Sequence, residues 1–212
     1  VYGDSDSYGK GYRLFDWRIA EGITLGGRKM IQDSADRFID AIKDIKDERD
    51  IDGNKAYLVG GDTDSVMTAI PFMPAETREQ QEDIVDLAWE AADRVNEWYD
   101  EWTAETFNLT DGQHYCELEI ESYAPWAFVP EGKTKEKAKK RYAEIIAWDE
   151  GEWMTDESST DSQESSETDA GRVQGKFSVT GIDIVRSDRA VVTREVAEDV
   201  LNTILRVDDR TE

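Results

Sequence analysis

Ala56-Tyr57-Leu58-Val59-Gly60-Gly61-Asp62-Thr63-Asp64-Ser65-Val66-Met67-Thr68-Ala69-Ile70 decides how this chain is read. Two apolar runs flank a small-residue turn, the pattern of a β-hairpin. The reading puts Asp-Thr-Asp at the tip of two buried strands. Strand alternation sends successive side chains to opposite faces, so Asp62 and Asp64 are expected to point the same way with Thr63 opposed. Paired carboxylates on a rigid hairpin suit a hard divalent cation such as Mg²⁺, which takes oxygen ligands. The competing reading is an acidic β-turn, because Gly and Asp dominate turns on conformational grounds alone.

Motifs further along the chain weigh between these readings. Gly61-Asp62-Thr63-Asp64-Ser65-Val66 resembles the third polymerase motif of the family B DNA polymerases, usually Tyr-Gly-Asp-Thr-Asp-Ser. Val1-Tyr2-Gly3 resembles the end of that family's second motif, and Arg13-Leu14-Phe15-Asp16 with Ile19-Ala20-Glu21-Gly22-Ile23-Thr24 resembles the lead into the helix after it. Lys139-Lys140-Arg141-Tyr142-Ala143 resembles the DNA-contacting Lys-Lys-x-Tyr motif, and Gly181-Ile182-Asp183-Ile184-Val185-Arg186-Ser187-Asp188 the entry to the thumb. Several motifs in the family's order are more specific than any one. The third motif departs from the pattern in having Gly60 where Tyr is usual. Tyr2-Gly3-Asp4-Ser5-Asp6-Ser7 is a second near-match but reads as a decoy, since Tyr8-Gly9-Lys10-Gly11 follows as loop and no apolar strand can bury its flank.

Composition bounds the rest. The chain has 212 residues, with 49 Asp and Glu against 25 Lys and Arg, a net charge of −24. Its seven Trp, eight Tyr and 38% hydrophobic content make sizeable cores possible. Polyanions repel DNA, so such acidity is unusual in a DNA-binding protein. It leaves an acidic regulatory protein or a halophile whose surface charge is screened by high salt. The resemblance favours the second, a haloarchaeal polymerase. One cysteine, Cys116, excludes an internal disulfide, fits a reducing cytoplasm and reads as a small apolar side chain. One histidine, His114, argues against His-based metal or nucleophile chemistry. No apolar run approaches the ~20 residues of a membrane span.

Helical spacing of Ile19, Ile23, Met30, Ile31, Ala35, Phe38, Ile39, Ile42 and Ile45 predicts a helix over 19–48, with Gly26-Gly27 a weak point. A second helix is expected over 76–106, its stripe Ile84, Leu87, Ala88, Ala91, Val95, Trp98, Tyr99 and Trp102 facing a core. Residues 115–128 begin as an alternating strand, with Tyr115, Glu117, Glu119 and Glu121 on one face and Cys116, Leu118 and Ile120 on the other. Lys133, Lys135, Lys137, Lys139, Lys140 and Arg141 form the strong positive focus, which with Tyr142 argues for phosphate contact rather than a merely solvated face. Residues 149–171 are acidic and Ser/Thr-rich, expected to form a disordered or extended insert between strands at 141–148 and 175–185. Ser187 is a candidate N-cap for a C-terminal helix carrying Val192, Val196, Val200, Leu201, Ile204 and Leu205.

The expected fold class is α+β, a polymerase palm whose antiparallel catalytic hairpin packs on helices, followed by the first helix of a mainly helical thumb. Residues 1–18 are assigned to the end of the fingers, 19–148 to the palm with the hairpin at 56–70, 149–171 to the insert, 172–186 to the link and 187–212 to the thumb. The resemblance implies template-directed DNA synthesis by two-metal nucleotidyl transfer, with two Mg²⁺ ions for which Mn²⁺ can substitute. It makes Asp64 the bridging catalytic and metal ligand and Asp62 a weaker neighbour, with Glu119 and Glu121 as weaker metal candidates. Tyr2 and Thr63 then face the nucleotide, Lys139, Lys140, Arg141 and Tyr142 the DNA, and Arg186 the backbone near the thumb. Expected partners are primer-template DNA, dNTPs, the N-terminal part of the polymerase and, as a further candidate, a sliding clamp. The family's first metal carboxylate is not among these residues, so the chain is expected to be a fragment, inactive alone. The rival readings are a non-catalytic acidic regulatory or structural subunit on a palm scaffold, and a different two-metal nucleotidyl transferase, which the Lys-Lys-Arg-Tyr segment weighs against.

Overall fold

The computed structural model describes residues 16–61, 64–110, 112–130, 141–154, 174–182 and 191–206. Helix α1 spans Trp17–Glu48 and α2 spans Arg78–Phe107. Asp16 caps α1 by accepting from the Arg18 N–H, and Arg18 beside it holds its carboxyl below the usual carboxylate range. Thr77 and Gln80 form a reciprocal capping box on α2, and Asn108 ends it in the left-handed conformation.

The two helices run antiparallel. Asp33 accepts from Trp102 Nε1 at 2.7 Å, Ser34 Oγ and Tyr99 Oη share a buried hydrogen bond of 2.7 Å, and Arg94 reaches Glu48. Between them lies the larger core, built on Phe38, Ile42, Ile45, Leu87, Val95 and Tyr99, with Trp98 packed against it. The expected apolar stripe of α2 is therefore the buried one. The stripe of α1 is buried only in its C-terminal half, because Ile19 and Ile23 are exposed. The physical reason is length: α2 ends at Phe107, which lies beside Gly26, and the turns of α1 before that point have no partner helix among the described residues. The Gly26-Gly27 pair does not interrupt α1.

Strands β1 (Tyr57–Gly61) and β2 (Val66–Ala69) pair antiparallel, with a bulge between Leu58 and Gly60. The hairpin roots, Ala56 and Ile70, pack on the larger core. The strands themselves are not buried as expected: Tyr57 is 50% and Leu58 46% exposed. Residues 113–120 alternate in burial as the sequence predicts, but they form no strand. Instead this strap lies along α2, with Cys116, Leu118 and Ile120 against the core.

Six short strands follow in two antiparallel sheets. One has the order β3-β6-β7, from Ser122–Tyr123, Trp148–Asp149 and Glu152–Trp153; the other has the order β4-β5-β8, from Trp126–Phe128, Tyr142–Ile146 and Lys176–Thr180. Helix α3, Val191–Arg206, covers the second sheet through Leu201 and Leu205, around Ala143 and Ile145. The strands expected at 141–148 and 175–185 thus pair directly, Tyr142 with Thr180 through Ile146 with Lys176. The beginning of the expected acidic insert is ordered. Residues 149–152 form a tight turn with positive φ at Glu150 and Gly151, the left-handed pair that closes a two-residue hairpin. Ser187 and most of the acidic segment lie outside the described residues. The mixture of helices and small antiparallel sheets is compatible with an α+β fold.

Candidate metal and nucleic-acid site

The ladder stops at Gly61 and resumes at Val66, so Asp64 stands in the connection rather than in a strand. Strand alternation therefore does not fix its direction. What holds it is the paired backbone on either side, rooted in the core below. Gly61 matters to the tip: a Cβ there would lie 3.1 Å from the Ser65 carbonyl. Asp64 is exposed, and it makes no hydrogen bond or ion pair among the described residues. An exposed carboxylate without a competing cation has its oxygens available to a hard metal ion.

Glu119 and Glu121 are exposed on the outer edge of the strap. Among the described residues no group of three or more His, Cys, Asp or Glu side chains gathers as a metal-ligand cluster. Asp62, Thr63, Tyr2, Lys139, Lys140 and Arg186 lie outside the described residues. Arg141 is exposed just before β5, and Tyr142 begins that strand, half-buried opposite Thr180.

Two further residues matter here that the motifs do not single out. Asn96, on the polar face of α2, binds the strap: its Oδ1 accepts from the Leu118 N–H at 2.7 Å and its Nδ2 donates to the Leu118 carbonyl at 3.0 Å. Spacing alone carries no sign of this bond. Glu144 sits in the middle strand of the β4-β5-β8 sheet, where burial, with the Asp149 charge adding to it, pushes its carboxyl above the usual range. Its signal was visible as one acidic residue within the apolar run Tyr142–Ile146. His114 serves structure: its Nδ1 accepts from the Cys116 N–H and its Nε2 faces Asp100 at 2.9 Å. Burial pushes the Cys116 thiol up, away from nucleophilic use.

No described helix is long and apolar enough to cross a membrane. The family model for DNA polymerase family B matches residues 1–105, a span that includes the hairpin and nearly all of α2. No curated protein and no solved structure shows significant similarity to the chain. Residues 1–105, and with them the hairpin that carries Asp64, are thereby similar to the DNA polymerases of family B.

Proposed function

We propose that this chain contributes the palm hairpin of a replicative family B DNA polymerase and that Asp64 is its principal metal ligand in template-directed DNA synthesis. The observation that carries this is the exposed Asp64 carboxylate, without an ion-pair partner among the described residues, at the tip of a core-rooted hairpin inside the matched residues. Bound Mg²⁺ supplies acidification of the primer 3′-hydroxyl and neutralisation of the triphosphate, with Mn²⁺ as a substitute. Asp64 presents its oxygens to that ion, and Asp62 is the weaker neighbouring donor. Glu119 and Glu121 are secondary donors from the strap. The remaining carboxylate comes from the part of a polymerase that carries the family's first motif.

The other roles follow the resemblance. Tyr2 and Thr63 contact the nucleotide. Lys139, Lys140, Arg141 and Tyr142 hold the primer-template, with Arg186 on the backbone near the thumb. Net charge −24 sets the working condition: molar salt screens it over roughly 3 Å, the setting of a haloarchaeal enzyme.

The test is primer extension by the complete polymerase in molar salt. Asp64→Ala is expected to lower the incorporation rate about a thousandfold, roughly 4 kcal/mol of transition-state stabilisation, with Asp62→Ala milder. Near-normal incorporation by Asp64→Ala would instead favour the non-catalytic scaffold.

A further inference from the structure

A small groove lies at the root of the hairpin, on the side formed by the C-terminal part of α1. Its floor is apolar, made by Ile39, Ala56 and Phe72, and its rim carries Lys43, Lys46 and Lys55 together with one carboxylate, Asp47. Ile39, Lys43 and Lys46 recur at i, i+4 and i+7, which places them on one helix face. Lys43 is 3.7 Å from Asp47 in a loose ion pair. Lys46 and Lys55 have no carboxylate partner within 4.0 Å among the described residues. Three ammonium groups against one carboxylate, Asp47, which faces Lys43, leave the groove with a local excess of positive charge in a chain of net charge −24.

We infer that this groove docks an acidic peptide segment of a partner protein through one apolar anchor side chain, with flanking carboxylates on Lys43, Lys46 and Lys55. Charge complementarity selects the anion. The floor selects the anchor. The cavity is about 100 Å³, room for one aliphatic side chain and not for a base with its sugar. A stacked base is further disfavoured because Lys46 Nζ already lies over the Phe72 ring, 5.5 Å from its centroid. The occupant would touch Ala56, the residue before β1, and so brace the root of the hairpin.

The test is fluorescence anisotropy with the 212-residue chain at about 0.15 M salt, where the Debye length is roughly 8 Å. The probe is fluorescein-labelled Asp-Glu-Leu-Leu-Asp-Glu. Saturable binding is expected, weakened at least about tenfold by Lys46→Glu with Lys55→Glu and likewise by Ser-Ser in place of Leu-Leu. Arg28→Glu supplies the control: it reverses an exposed charge on α1 eleven residues before Ile39, about 16 Å along the axis, and is expected to leave binding unchanged. Circular dichroism confirms that each variant is folded. No saturable binding to the folded parent, equal binding of the Ser-Ser peptide, or an equal loss with Arg28→Glu would overturn the inference. So would preferential competition by a short single-stranded DNA.

Discussion

Asn96 bonds both main-chain polar groups of Leu118, standing in for a neighbouring strand that the strap lacks among the described residues. The amide side chain matches a peptide group in having one donor and one acceptor side by side. The strap can therefore lie extended against α2, with Leu118 packed on the core and Glu119 turned outward. Asn96→Ala leaves the Leu118 N–H and C=O without these partners. It is expected to lower unfolding stability by about 1–3 kcal/mol, read from urea denaturation. Asn96→Asp keeps the acceptor, loses the donor and sets an anion against the Leu118 carbonyl, so it should not rescue. An unchanged midpoint for both variants would mean that the strap is held by its apolar side chains alone.

Glu144 gives a pH signature. Its folded-state pKa is raised, first by burial and then by Asp149, so the protonated form is the one that the fold prefers. Its favourable contribution is fully present below the ordinary glutamate value of 4.5 and is lost as pH rises through the folded value. Glu144→Gln should accordingly raise the melting temperature at pH 7 and give no advantage at pH 3.5. A stabilisation that is equal at both pH values would trace to something other than this ionisation.

The acidic segment divides at Met154. Trp153 belongs to β7 and carries the Arg78 guanidinium 3.9 Å from its ring centroid, with Tyr123 at its edge. Replacing 155–172 by a short Gly-Ser linker should leave the melting temperature within a few degrees of the parent, because β5 and β8 still pair. Extending the deletion back to Glu152 removes the Trp153 contacts and should destabilise by about 2–3 kcal/mol. Equal stability of the two deletions would show that the β6-β7 turn contributes nothing. If the shorter deletion is folded, its primer extension in the complete polymerase should retain activity and need less salt, since it lacks charge that repels DNA.

The large elements could be read from sequence because their signal is repeated. Val95, Tyr99 and Trp102 recur at helical spacing, and the same residues fill the core. The hairpin was legible from its two apolar runs and its Gly-Asp turn. Burial of α1 was harder to read, because Ile19 and Ile23 continue the same period past the point where the partner helix ends. The strap shows a different limit. Period-two alternation reports which side chains face the core, and Cys116, Leu118 and Ile120 do. It does not report whether the backbone partner is a strand or the side chain of Asn96. At the candidate site, residue types pointed to Asp64, but alternation could not fix its direction because Asp64 lies beyond the end of the ladder.

Gly60 offers the last prediction, because it is where the hairpin departs from the motif it resembles. It pairs with Met67 just after the bulge. Its φ is not in the left-handed region that would demand glycine. A Cβ built there meets nothing within 4 Å. Glycine in a strand costs conformational entropy without packing anything in return, roughly 0.5–1 kcal/mol relative to a residue with a side chain. Gly60→Tyr places a strand-favouring aromatic beside half-exposed Tyr57 and Leu58, and it should stabilise the fold by about that amount. Gly61→Tyr is the contrast, since its Cβ would press the Ser65 carbonyl at 3.1 Å in the turn that carries Asp64. It should be neutral at best and should weaken Mn²⁺ binding measured by electron paramagnetic resonance, whereas Gly60→Tyr should leave that binding intact. Destabilisation by Gly60→Tyr would mean that the bulge needs glycine for its motion, and loss of Mn²⁺ binding by both variants would place the metal on the strand face rather than at the tip.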